Sequence, residues 1–361
     1  MSEINALYIE SLEQINIKKL ERKPLGETQV RIAVKRVSLC GSDYKLFNGG
    51  YNAPGTYPII PGHEWAGEII ETGSEVSNLS VGDRVTGDCS RYCGKCVNCL
   101  KDKNLCSDIE KYGITIDGYA VTEAVADQKY IYRADPCISF KALALAEPFC
   151  VAYHALDKVI RHHICNGSMP LLKKKRMLII GCGAVGTAAY ILAKYHFDFE
   201  KVFVFDSDSR IRQLTNAAGE DVMMYVPDKH SGSRVNKWGT RGSSYANIYN
   251  MGSFDIVCEF AGVSEAFDMA MRETAAGGSI VTIGFYGNTT CDAGLITLKG
   301  LSVFGSIGGT GEFENVLDFL KLHGDKAERM VVAEYPLENA AKAFTRNHSG
   351  KCQIVFDERT M

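Results

Sequence analysis

The chain has 361 residues, 46% hydrophobic and 23% charged, a balance that excludes a disordered or collagen-like chain and, at roughly 150 residues per domain, predicts two domains. Lys and Arg total 40 against 43 Asp and Glu, a formal charge of −3. Without a basic field, nucleic acid and anionic membranes are not expected partners, and a small-molecule substrate is.

The first residues carry neither the basic start nor the apolar run of a secretory leader, so the expected address is cytoplasmic. The longest apolar runs, such as 177–180, fall far short of the ~20 residues that cross a bilayer. The 13 cysteines are an odd number in a chain long enough to bury its own core. That pattern predicts reduced or metal-bound thiols rather than a disulfide scaffold.

From residue 30 to about 135, short β-rich runs (30–37, 66–70, 120–125 and 130–132) alternate with Gly, Pro and Asp turns, which predicts a mostly β domain. Within it, Cys40-Gly41-Ser42-Asp43 follows the first run, and Gly62-His63-Glu64 comes some twenty residues later. Neither piece is decisive alone, since a single His is more often structural than a ligand. Next come Cys93, Cys96, Cys99 and Cys106, four thiols within 14 residues. Close CxxC steps wrap a tetrahedral ion, and four thiolates make a closed structural zinc site. A redox CxxC pair or an iron–sulfur cluster are the alternatives, and Cys89 could replace one ligand.

Glu147-Pro148 stands where this β-rich part gives way to βαβ units, at the expected domain cleft. Its carboxylate, with the Cys40 thiolate and the His63 imidazole, would make a three-donor set with one open position, the way catalytic zinc is held. Beyond about residue 149, buried runs at 177–180, 202–205, 255–259, 279–283 and 301–304 alternate with helical stretches and predict a parallel sheet. The run 229–250 reads as a surface loop. An amphipathic helix over 313–322 and a strand over 353–356 close the chain, and pattern alone leaves them to either domain.

Gly181-Cys182-Gly183-Ala184-Val185-Gly186 lies between the run 177–180 and a helical segment over 187–195, a GxGxxG in its required setting. The first glycine permits the tight turn, the second lets backbone approach a pyrophosphate, and the third packs helix against strand. Asp206 ends the next strand twenty residues after Gly186, placed to bind ribose hydroxyls and to repel a 2′-phosphate. NAD is therefore expected over NADP, with Arg210 and Arg212 as the opposing signal. FAD and S-adenosylmethionine are other ligands for such a loop.

On Cys40-Gly41-Ser42-Asp43, Gly62-His63-Glu64, Gly82-Asp83-Arg84-Val85, the four-cysteine lobe, Glu147-Pro148, the glycine fingerprint and Gly277-Gly278, the chain closely resembles the zinc-dependent medium-chain dehydrogenase/reductase superfamily. The resemblance spans nearly the whole chain. It implies an α/β architecture, with a GroES-like catalytic domain over 1–150 and 306–361 and a doubly wound Rossmann domain over 151–305. It implies two zinc ions per chain and NAD, with homodimers or homotetramers usual. Cys40, His63 and Glu147 become the catalytic zinc ligands, with Glu64 a fourth or alternating one, and Ser42 relays the proton of the substrate hydroxyl. The cofactor would lie on Gly181, Gly183, Ala184, Val185, Gly186, Asp206 and Arg210.

The chain departs from the family pattern twice. Many relatives carry His two residues after the acidic position of the Cys-Gly-Ser/Thr-Asp motif, where this chain has Lys45. An ammonium there suits an anionic or hydroxyl-rich substrate, or simply a solvated surface. The gap from Cys99 to Cys106 holds six residues, where the family usually has seven. Glu147, Ser42 and His63-Glu64 look more like the polyol, sorbitol and amino-cyclitol branch than the ethanol branch. The stretch Tyr57-Pro58-Ile59-Ile60-Pro61-Gly62-His63-Glu64-Trp65 is similar to 2-deoxy-scyllo-inosamine dehydrogenases. Threonine-type amino alcohols, butanediol and sugar phosphates stay open, as do a zinc-free quinone-reductase relative and a non-catalytic zinc- and nucleotide-binding protein.

Overall fold

The computed structural model describes residues 3–51, 55–165, 174–227, 252–284, 291–345 and 348–356. The chain forms two compact units, residues 1–151 with 308–361 and residues 152–307. The expected surface loop over 229–250 lies outside the described residues.

In the first unit, β1 (Glu3–Ser11) and β2 (Gln14–Glu21) form an antiparallel hairpin that pattern reading did not pick out. The reason is visible in the side chains: β1 buries Ile4, Ala6, Leu7 and Ile9, whereas β2 is almost wholly exposed and reads as a polar linker. The main sheet is built on β3 (Gln29–Ser38), which pairs antiparallel with β4 (Glu64–Thr72) and with β8 (Glu123–Asp127). β5 (Arg84–Gly87) and β9 (Ile131–Arg133) extend it on the β4 side, while β6 (Ser90–Arg91) and β7 (Glu110–Lys111) form a short antiparallel pair of their own. On the other side β17 (Lys351–Val355) pairs antiparallel with β3, and β16 (Val331–Pro336) joins β17 in parallel. The C-terminal segment thus contributes two strands to the sheet that carries the cysteine and histidine motifs. Val30, Ile32, Val34 and Val37 of β3 pack with Trp65, Ile69, Phe344 and Ile354 into one apolar core. Trp65 stacks on Tyr119 at 4.1 Å between ring centroids, a geometry that adds about 0.5–1.5 kcal/mol beyond area burial.

The helix expected over 313–322 runs from Phe313 to Glu328. His323, at φ −131° and ψ 22°, interrupts it, so the apolar stripe of Phe313, Val316, Leu317 and Leu320 covers only its first part.

The second unit is an all-parallel six-stranded sheet. Its order is β12 (Met223–Met224), β11 (Lys201–Phe205), β10 (Arg176–Ile180), β13 (Phe254–Glu259), β14 (Thr274–Thr282) and β15 (Ser302–Gly305). Helices cover the strands, so Met177, Leu178, Ile179 and Ile180 are all buried, which explains the unbroken apolar runs in the sequence. Successive strands leave β10 first toward β11 and then toward β13. The carboxyl ends of β10 and β13 therefore flank the switch point where doubly wound sheets bind ligands. Both expected fold components, the β-rich GroES-like part and the parallel Rossmann-like sheet, are present.

Candidate metal centres and cofactor site

Strand register creates the first centre. β4 pairs Glu64 with Ser38 and Trp65 with Val37, which brings His63 and Glu64 to the end of β3, where the chain turns into the helix Gly41–Asn48. Cys40 sits at that turn. Ligand atoms of Cys40, His63 and Glu64 lie within 4.8 Å of one another. Asp43, wholly buried, fixes the turn: its carboxylate accepts from the Cys40 N–H at 2.8 Å and from the Gly62 N–H at 3.3 Å. The same carboxylate lies 3.8 Å from His63 Nδ1. Ser42 Oγ is 3.6 Å from Cys40 Sγ.

This pocket concentrates negative charge. Burial alone would depress His63, but Asp43, Cys40 and Glu147 outweigh it and lift its pKa to about 10. Burial pushes the Glu64 carboxyl above its ordinary range, the Lys351 ammonium pulls against that shift, and Glu147 adds to it. Lys351, 287 residues away in sequence, donates from Nζ to both Glu64 oxygens and to Leu39 O at 3.1 Å. The register of β17 against β3, with Gln353 opposite Ser38, delivers it there. A half-buried thiol beside a buried imidazole and carboxylate under such a field, with His63 Nδ1 lacking a hydrogen-bond partner among the described residues, suits a divalent cation of the zinc type.

Glu147 opens the helix Ala146–Cys165, is buried, and acts electrostatically on His63 and Glu64. Among the described residues, Glu64 rather than Glu147 completes the close three-donor group with Cys40 and His63. Lys45 is exposed on the helix that carries Ser42.

The second centre is the lobe of Cys93, Cys96, Cys99 and Cys106, whose sulfurs lie within 4.8 Å of one another despite the shortened gap. Backbone amides aim at the sulfurs: Cys96 N and Lys95 N toward Cys93 Sγ, Cys99 N toward Cys96 Sγ, and Asp108 N toward Cys106 Sγ, at 3.4 or 3.5 Å. Such donors favour thiolate over thiol. Hydrogen bonds from Ser107 and Cys99 draw Cys96 down to about 5, while burial pushes Cys99 up to about 12. Lys129 closes one side, donating to Tyr92 O at 2.9 Å with its ammonium over the Tyr92 ring. Cys89 stands outside the four, buried beside Ser90, so the lobe assembles from the four cysteines that the spacing singled out.

In the second unit, the glycine loop divides its labour as the fingerprint requires. Gly181 has φ +95°, and a Cβ there would press on Ala261 N at 2.6 Å. At Gly186 a Cβ would run into Gly181 O, so this position packs helix to strand. Gly183 has no neighbour within 4 Å of where its Cβ would lie, which leaves the N-terminus of the helix Ala184–Tyr195 open to a phosphate group. Ala184 and Val185 form the first turn of that helix. Asp206 accepts from Cys182 N and from Ser207 N, each at 2.6 Å, so it braces the loop as well as facing a cavity of about 600 Å³. Gly181, Phe205, Ala261, Val263 and Met269 also line that cavity. Arg210 is half-buried in the first turn of the next helix; burial pushes the Cys182 thiol up to about 12, Asp206 adds to that rise and Arg210 pulls against it. These features fit a dinucleotide.

Two contributors escaped the sequence reading. Asp43 carried a signal, because an acid three residues after Cys40 is the spacing of a capping box. Lys351 carried none, since only β17 pairing brings it to Glu64.

Comparisons with known proteins agree with this geometry. The alcohol dehydrogenase GroES-like domain model matches residues 26–136, and the zinc-binding dehydrogenase model matches residues 184–321. D-arabinitol dehydrogenase 1 of Uromyces fabae is 27% identical over 362 residues, covering 97% of this chain and 96% of its own. L-threonine 3-dehydrogenase of Francisella philomiragia subsp. philomiragia is 25% identical, with 92% of each chain covered. Among solved structures, a zinc-binding dehydrogenase from Sinorhizobium meliloti 1021 bound to NADP superposes with a TM-score of 0.82 at 23% identity, over 98% of this chain and 100% of its own. A GroES-like domain carrying two zinc-type donor sets and a Rossmann-like unit with its dinucleotide loop place the chain in the zinc-type alcohol dehydrogenase family of NAD(P)-dependent oxidoreductases.

Proposed function

We propose that the chain oxidises a secondary alcohol of a polyhydroxylated compound, a polyol or an amino-cyclitol, with NAD as hydride acceptor. The observation that carries this reading is the close Cys40, His63 and Glu64 donor set, braced by Asp43 and Lys351. The full-length likeness to an arabinitol dehydrogenase supports a polyol, and that to threonine dehydrogenases keeps an amino alcohol as the second reading.

Zinc held there would supply a Lewis acid that lowers the pKa of the substrate hydroxyl, and the bound dinucleotide would accept the hydride. The residues of the chain do the rest. Cys40 and His63 would hold the metal, with Glu64 and Glu147 offering the remaining protein donor, Glu64 being restrained by Lys351. Ser42 accepts the hydroxyl proton as it passes its own hydroxyl proton on to water, while exposed Lys45, a cation without a lone pair, stands where relatives carry the relay histidine and takes up no proton. Asp206 receives the adenosine ribose hydroxyls, and its charge disfavours a 2′-phosphate. The four-thiol lobe holds a second, structural zinc. β15 ends its sheet with Val303 exposed, an edge that a second copy of the chain would cover in a homodimer or homotetramer.

The test is reduction of NAD and of NADP across neutral polyols, amino-cyclitols, amino alcohols and sugar phosphates. Turnover of neutral or amino polyols with NAD supports the reading. Preference for phosphorylated substrates would make Lys45 an anion contact, and no turnover by a zinc-replete protein would overturn the substrate class.

A further inference from the structure

Between Cys99 and Cys106, the lobe turns through a single 3-10 turn, Lys103–Leu105. Asn104 at its centre is 3% exposed, and both its amide N–H groups and its carbonyl oxygen are bonded. Nδ2 donates to Asp102 Oδ1 at 2.8 Å and to Thr310 O at 3.2 Å, while Oδ1 accepts from Thr310 N at 3.0 Å. Asp102 also accepts the Asn104 backbone N–H at 2.9 Å, which caps the turn. The partner segment is where the chain re-enters the first unit, at Gly308. Gly308, at φ +67°, lies directly against the Asn104 amide, and a Cβ on Gly309 would run into the backbone of Cys150 and Val151. Cys150 is one helical turn after Glu147 and feels its charge. The Thr310 side chain lies beside buried Asp88, which also feels Glu147.

We infer that Asn104 is a positioning residue that ties the four-thiol lobe, through Thr310 and Gly309, to the helix turn carrying Glu147, so that metal in the lobe sets how firmly Glu147 is held. The lobe is thereby more than a clamp on its own loop. An ion gathering Cys99 and Cys106 stiffens the turn between them, and that turn grips two backbone groups of Thr310. The inference rests on zinc in the lobe and not on the choice of substrate.

Hydrogen exchange of the zinc-loaded chain, read across residues 306–312 without substrate, tests it. Asn104→Ala removes two bonds to Thr310, and exchange there is expected to rise tenfold or more. Cys96→Ser, which opens the lobe, is expected to raise exchange over 306–312 in the native background and to add nothing in the Asn104→Ala background. In turnover, Asn104→Ala lowers kcat and leaves the KM for NAD unchanged, a split that general loosening does not give. Equal added effects of Cys96→Ser in both backgrounds would overturn the inference, since the lobe would then act without Asn104. Should Asn104→Ala not fold, Cys96→Ser alone decides: unchanged exchange over 306–312 overturns it.

Discussion

Replacing Lys351 by methionine probes the centre most directly. The Lys351 and Glu64 side chains are 5% and 1% exposed and form a buried ion pair, with the His63 imidazole acting on Glu64 more weakly than the ammonium. Removing one member of such a pair strands a buried charge, which costs about 3–5 kcal/mol at neutral pH in the metal-free chain. The deficit depends on pH with a definite sign. Glu64 already has its carboxyl raised by burial, and losing the ammonium raises it further. A carboxyl whose folded pKa exceeds its unfolded value of about 4.3 carries no penalty below that value, and the penalty grows as pH rises toward the folded pKa. Urea unfolding at pH 5 and pH 8 is therefore expected to show a small loss at the first and the full loss at the second. Zinc narrows the gap, because a carboxylate released from Lys351 is free to coordinate. A deficit under about 1 kcal/mol that is the same at both pH values would refute the reasoning.

Three further outcomes follow from the same geometry. Cys96→Ser is expected to lower zinc from two ions per chain to one, measured by elemental analysis, and to cost stability more than chemistry; full metal content would remove the lobe as a zinc site. Ser42→Ala should keep both ions and lose about 10²-fold or more in kcat, and an unchanged rate at every pH would take Ser42 out of the proton path. Asp206→Ser removes the charge facing the cavity, so KM for NAD should rise about tenfold or more while NADP improves. Parallel losses with both cofactors would mean that Asp206 serves the loop, through Cys182 and Ser207, more than the ribose.

The sequence by itself determined whatever is local or spaced along one element. The glycine loop, the acid ending the next strand and the four thiols within fourteen residues were all legible, because their chemistry demands fixed short spacings. The parallel sheet was legible because its central strand β10, covered on both faces, is apolar from Met177 to Ile180. The β1 and β2 hairpin was not, because β2 is mostly exposed and only Ile15 and Leu20 pack partly against the core. Tertiary structure alone decided how the first centre closes. Sequence reading ranked Glu147 beside Cys40 and His63 and made Glu64 a fourth or alternating ligand; the register of β4 on β3 puts Glu64 in the close group of described residues, and Glu147 stays on its helix outside it. Lys351 and Asn104 show the same limit. A lysine 287 residues from its carboxylate and an asparagine 206 residues from Thr310 carry no pattern, because strand pairing and chain return, not spacing, make those contacts.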